Sequence, residues 1–331
     1  ILQLWFAEIA FTNDGQERFT GFVRRWVGKR AEHIAFISIL VGYYGGLLAY
    51  GVLGGIFLHA LFPALSAFWW SCVFFASTGV ILYFDFRKIS IINFYLTIPL
   101  LLFVLLLSAI AIPSIDVSNL LLKGNPALWF LPYGIFIFAF GGLAAIPETS
   151  DIMKPLGIKA LRNVLNISMI ISAIVYAFFI IAVVGVTGNA TTDDALGGLI
   201  LFLGEKIIVL GALIGFLAVF TSHLALGADM KNIFRFDYKL PHILAWGLTA
   251  WVGLYLFLLG FSQFLSIISF VGAVAFGVSG ILIFYMIRNF HRSNPPHSHS
   301  FFSPMHPFAF LVFFFLLAGV LVELLHISGI L

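Results

Sequence analysis

Apolar runs long enough to cross a bilayer alternate along this chain with short polar turns. After an apolar opening at 1–10, they fall at 34–62, 65–84, 91–112, 128–147, 165–187, 206–227, 242–260, 264–287 and 307–327. A helix rises 1.5 Å per residue and the hydrocarbon core is about 30 Å thick, so about 20 apolar residues span it. The pattern therefore predicts nine complete membrane helices separated by polar or Pro-containing turns. The run 34–62 exceeds the required length and is expected to tilt. The opening Ile1-Leu2-Gln3-Leu4-Trp5-Phe6-Ala7 is too short to span. It lacks the basic start and small-residue cleavage site of a signal peptide, and reads as the tail of a helix whose beginning is absent.

The connections at 11–33, 113–127, 148–164, 188–205, 228–241 and 288–306 are all too small for a folded soluble domain. The expectation is thus one all-α polytopic domain over 1–331, with any chemistry among the helices or in these loops. Composition agrees. Hydrophobic residues make up 62% of the chain and charged residues 9%, against about 25% charged in a soluble domain.

Charge then fixes an expected orientation. One set of alternate loops carries Arg18, Arg24, Arg25, Lys29 and Arg30, then Arg87 and Lys88, then Lys154, Lys159 and Arg162, then Lys231, Arg235 and Lys239, then Arg288 and Arg292. The other set holds Lys123 and Lys206, which completes the 17 Lys and Arg residues. Cytoplasmic loops retain positive charge, which places 11–33 in the cytoplasm and the C-terminus outside, in a multi-pass plasma-membrane protein. The net charge of +3 follows from this asymmetry and does not point to nucleic acid. Cys72 is the single cysteine, which excludes an intramolecular disulfide and a cysteine metal cage.

Inside a bilayer, unpaired backbone is tolerated only where protein covers it or it lines a cavity. The run 128–147 strains that rule. Gly141-Gly142 lies near its middle, Pro147 closes it, and Glu148-Thr149-Ser150-Asp151 follows. Two half-helices meeting at the glycines would expose N–H groups for a carboxylate and C=O groups for an ammonium or cation. Paired glycines also serve simply to let a neighbouring helix approach, and both readings fit the sequence. Thr221-Ser222 offers two adjacent hydroxyls to a sodium-sized ion, or alternatively bonds back to its own helix. His223 beside them is either a proton carrier or a packed histidine. Tyr43, Tyr44 and Tyr50 lie in a glycine-rich helix, with Tyr44 or Tyr50 expected to face a cavity.

Intramembrane acids are functional candidates. Glu148 leads because it follows the suspected break; Glu8 sits in the opening stretch near the cytoplasmic face, and both read equally as interfacial acids, while Glu323, near the outer end of the last run, reads as an interfacial acid. His291, His297, His299 and His306 lack regular ligand spacing and read as a solvated loop.

Several segments together resemble the prokaryotic aromatic/hydrophobic amino acid permeases, which are amino acid/auxin permease-like members of the amino acid/polyamine/organocation transporters. They are Trp26-Val27-Gly28-Lys29-Arg30 with Tyr44-Gly45-Gly46-Leu47-Leu48-Ala49-Tyr50, then Phe138 through Glu148, then Phe220-Thr221-Ser222-His223-Leu224-Ala225-Leu226-Gly227. The resemblance implies two five-helix inverted repeats plus an eleventh helix, with the first helix missing. On that frame 1–10 ends the second helix, 34–112 completes the first repeat, 128–287 forms the second, and 307–327 is the final helix. Phe140, Gly141, Gly142 and Ala144 are then implied to line the substrate site with Tyr44 and Tyr50. Thr221 and Ser222, with Glu148, are implied to serve the coupling ion, H+ or Na+.

The expected function is a secondary transporter for an amino acid, with no catalytic residues, metal or cofactor. No Gly-x-x-x-x-Gly-Lys-Ser/Thr loop for ATP is present. Two other classes stay open: a lipid-modifying intramembrane enzyme, and a channel or structural subunit. The enzyme would need clustered ligands, whereas His59 and His223 lie toward opposite faces. The channel would be favoured by an unbroken helix through Gly141-Gly142.

Overall fold

The computed structural model describes residues 1–13, 17–84, 86–121, 129–195, 197–199, 202, 204–293 and 306–328. Lys123, His297 and His299, singled out from the sequence, lie outside that set. Among the described residues every regular element is helical: α1 Leu2–Phe11, α2 Phe19–Trp26, α3 Lys29–Leu61, α4 Ala67–Ile81, α5 Phe86–Ala111, α6 Val117–Leu120, α7 Leu131–Ala139, α8 Ile146–Met153, α9 Ile158–Thr187, α10 Glu205–Asn232, α11 His242–Leu258, α12 Phe264–Phe270, α13 Gly277–Ser293 and α14 Pro307–Ile327. A π-helical turn, Val271–Phe276, joins α12 to α13, and a second, Ile233–Asp237, extends α10.

The apolar runs have become helices, and their outer faces say which solvent they meet. On α9, Ile167, Ile170, Ile174, Phe178 and Ile181 recur at helical spacing and are all exposed. On α5, Ile98, Leu102 and Leu105 do the same. An apolar surface of that extent is untenable in water and required in lipid. Among the described residues, seven helical stretches are long and apolar enough to cross a membrane, taking α7 through α8 as one and α12 through α13 as another. Helices α4, with 15 residues, and α11, with 17, are shorter than the full spans expected for them.

Helix α3 is the spine. Its 33 residues rise about 50 Å and pack against α4, α10, α11 and the π turn before α13. One apolar core gathers Trp5, Phe6, Phe22, Ile39, Tyr43 and Ile283 from α1, α2, α3 and α13. A second gathers Phe57, Phe74, Leu107, Ala182 and Val186 from α3, α4, α5 and α9.

The basic loops converge at one end. The Arg25 guanidinium donates to Asn13 Oδ1 at 2.6 Å, the Lys154 ammonium donates to the Asn13 carbonyl at 2.6 Å, and Asn289 donates to the Trp26 carbonyl at 2.7 Å. At the other end Asp116 caps α6, accepting from the Ser118 N–H at 2.8 Å. Its carboxyl is held below the usual carboxylate range by the Ser118 hydroxyl and N–H.

Candidate functional site

The run 128–147 is broken. Helix α7 starts with Pro132 in its first turn, where the missing N–H is no loss, and ends at Ala139. The Phe140 and Gly141 N–H groups donate back to the Phe136 and Phe138 carbonyls, both at 3.0 Å. Gly142 then turns the chain at φ +47, a left-handed conformation that costs glycine nothing. A single 3-10 turn, Leu143–Ala145, leads into α8, where Pro147 again occupies the first turn. The two prolines and the glycine thus start, break and restart one span.

A break in a membrane must have its loose ends held. Gln3 of α1 does this, its amide donating to the Phe140 carbonyl at 2.8 Å and reaching the Gly141 carbonyl at 3.5 Å. The Tyr176 hydroxyl of α9 donates to the Ala139 carbonyl at 3.1 Å. The last carbonyls of α7, which lack helical partners, are satisfied from two sides.

Cavities flank the break. One of about 210 Å³ is lined by Tyr43, Tyr50, Phe138, Gly142, Ala144 and Ser222, among others. Its walls are aromatic: Phe138 stacks on Phe276 at 5.7 Å between ring centroids and faces Tyr50 at 5.9 Å. A second, of about 280 Å³, is lined by Gln3, Phe140, Gly141, Asn166 and Met169. The N-terminal end of α8 carries the helix's partial positive charge and favours an anion, while the carbonyl end of α7 favours a cation.

The residues marked in the sequence separate on this frame. Gly142, Ala144, Tyr50 and Ser222 meet at the first cavity, and Phe140 and Gly141 face the second. Tyr44 joins neither. Its hydroxyl donates to the Leu248 carbonyl of α11 at 3.0 Å, and Tyr43 lines the cavity in its place. Tyr43 and Tyr50 are seven residues apart, two helical turns on one face, whereas Tyr44 is rotated about 100° from Tyr43.

The Thr221-Ser222-His223 trio points three ways. Thr221 donates to the Ala218 carbonyl of its own helix at 3.0 Å. Ser222 faces the cavity. His223 is buried on the α4 side, its ring centroid 5.2 Å from Phe74 and 5.8 Å from Phe75.

Glu148 is buried and tied down. Its Oε1 lies 3.1 Å from Arg18 Nε and accepts from Asn232 Nδ2 at 3.3 Å. Two expectations from the sequence need correcting. The segment 228–241 is not simply a polar connection, because α10 runs to Asn232 and the π turn to Asp237, burying Asp229, Lys231 and Asn232. Their polar groups have partners that make burial tolerable, as where the Lys231 ammonium donates to the Leu82 and Phe84 carbonyls. Likewise His291 is not in a solvated loop: it ends α13 and lies 2.8 Å from Glu8 of α1, both side chains nearly buried. His306 caps α14, accepting from the Phe308 N–H at 3.2 Å.

Sequence reasoning assigned no cavity-lining or bracing role to Gln3, Tyr43, Phe138 or Phe276. Of these, the seven-residue spacing of Tyr43 and Tyr50 was a usable signal, whereas nothing local marked Gln3 or Phe276.

No family model matches the chain, and no curated protein matches it. Among solved structures, that of MhsT in complex with L-phenylalanine is similar, with a TM-score of 0.57 and 14% sequence identity, covering 98% of this chain and 88% of that one. At that identity the likeness establishes the fold. The chain is a polytopic helical membrane protein with the helix arrangement of MhsT.

Proposed function

We propose that this chain is a secondary transporter importing an amino acid with a hydrophobic or aromatic side chain across the plasma membrane, coupled to an H+ or Na+ gradient. One observation carries the reading: a membrane span interrupted at a left-handed Gly142 beside an aromatic-lined cavity. The α8 end of the break suits the substrate carboxylate, the α7 carbonyls suit its ammonium, and Phe138, Phe276 and Tyr50 suit an apolar side chain. That MhsT shares the fold and was solved with L-phenylalanine supports the same substrate class here. On this reading the chain belongs with the aromatic/hydrophobic amino acid permeases. Residues 1–10 then end the second helix, 34–112 complete one repeat and 128–287 form the other, with the basic loops cytoplasmic. Alternating access rocks the helices around the site at the break.

Uptake of radiolabelled amino acids into proteoliposomes under an imposed proton or sodium gradient tests it. Accumulation of L-phenylalanine is expected in the wild type and lost in Gly142→Leu, whose Cβ would lie 2.6 Å from Gln3 Nε2 at a φ that side chains rarely adopt. No accumulation of any amino acid under either gradient would overturn the reading.

A further inference from the structure

Three acids near the end of α10 differ in how their charge is met. Asp237 accepts from the Arg18 N–H at 2.7 Å, the Thr20 hydroxyl at 2.6 Å and the Gly21 N–H at 2.9 Å. Three donors are aimed at that carboxylate. Glu148 has the Arg18 guanidinium and the Asn232 amide.

Asp229 has neither. It is 3% exposed and forms no ion pair among the described residues. Its Oδ2 accepts a single hydrogen bond, from the Tyr43 hydroxyl at 2.6 Å, while Oδ1 has no hydrogen-bond partner among the described residues. The groups bearing on it are Tyr43 from α3, Glu148 from α8, Arg18 from the segment before α2, and Asp237 farther along its own chain segment. Arg18 is engaged with Glu148, so the local acids outnumber the local bases. A carboxylate so placed is costly to leave charged and cheap to neutralise with one proton.

The neighbouring geometry gives that proton something to do. Tyr43, which holds Asp229, also lines the cavity at the broken span. With Asp229 ionised, the Tyr43 hydroxyl is committed to it as a donor. With Asp229 protonated, the carboxyl carries its own O–H and the tyrosine hydroxyl is freed toward the cavity.

Resting on the transporter reading above, we infer that Asp229 takes up and releases the proton that drives substrate accumulation, and that Tyr43 links this site to the cavity. One O–H bond forms on the carboxylate when the proton enters and the same bond breaks when it leaves. No other bond changes.

The test uses proteoliposomes holding the full chain, with two readouts for L-phenylalanine: accumulation driven by a proton gradient, and counterflow into preloaded vesicles without any gradient. Asp229→Asn is expected to lose about tenfold or more of the driven accumulation, within the range of a coupling free energy between linked sites, and to keep counterflow. Wild-type affinity for L-phenylalanine is expected to weaken as pH rises from mildly acidic to mildly alkaline, and Asp229→Glu to keep that dependence. Full driven accumulation in Asp229→Asn would overturn the inference while leaving the transporter reading intact. So would accumulation driven by sodium alone, or a wild-type affinity indifferent to pH, which decides the matter even if Asp229→Asn does not fold. Absence of counterflow in the wild type would remove the transporter reading, and the inference with it.

Discussion

Gly142 and Gln3 make the interruption between them, one by adopting a conformation and the other by repairing its consequence. Gly142 supplies the left-handed turn, and the Gln3 amide covers the carbonyl that the turn strands. Replacing Gln3 with Leu keeps the volume and removes the donor. A buried carbonyl left without a partner costs about 1–3 kcal/mol and a part-buried one such as this less, so Gln3→Leu should modestly lower the thermal unfolding midpoint in detergent and weaken L-phenylalanine binding. An unchanged midpoint would show that the Phe140 carbonyl finds another donor. The glycine was legible in the sequence because a Gly-Gly pair inside an apolar run, closed by a proline, has few uses. The glutamine was not. A single amide in a ten-residue apolar stretch carries no periodic signal, and its partner lies 137 residues away. The same limit separates Tyr43 from Tyr44: adjacent tyrosines are alike in composition, and only the helix rotation assigns one to the cavity and the other to Leu248.

At the scale of elements, the break depends on how closely α7 meets the π turn. A Cβ at Gly272 would lie 1.7 Å from the Gly134 carbonyl oxygen, and one at Gly134 would lie 2.1 Å from the Ser269 carbonyl oxygen. Backbone meets backbone there, and neither side has a flexible tip that can yield. Gly272→Ala should therefore destabilise the protein by about 1–3 kcal/mol. Gly247, in the middle of α11, has nothing within 4 Å of its would-be Cβ, and Gly247→Ala should stabilise by roughly 0.5–1 kcal/mol through helix propensity. Thermal unfolding of the two variants in parallel checks both signs, and equal shifts would contradict the close approach. Hydropathy located α3, α4, α5, α7 and α9 to α14, because lipid demands continuous apolar length, but not α8, most of which lies in the polar segment after Pro147. It could not locate the π turns, whose residues are as apolar as their neighbours. It also ended the sixth full-length run at Gly227, where charged residues begin. Those residues are inside because Tyr43, Glu148 and the carbonyls after α4 partner them.

For the whole molecule, two belts of chemistry are separated along the helices. Lipid-facing apolar residues cover the outside of α5 and α9, and paired charges from loops distant in sequence gather at one end. Between them lies the broken span with its cavity. The proposed amino acid site is the cavity lined by Tyr43, Tyr50, Phe138 and Ala144. Ala144 lines it, so a cysteine there, in a Cys72→Ser background, places a thiol inside the proposed site. Its rate of modification by a small methanethiosulfonate reagent should fall several-fold in saturating L-phenylalanine, with half-protection at the concentration that half-saturates binding. If L-phenylalanine at concentrations that saturate uptake leaves the rate unchanged, the substrate binds elsewhere.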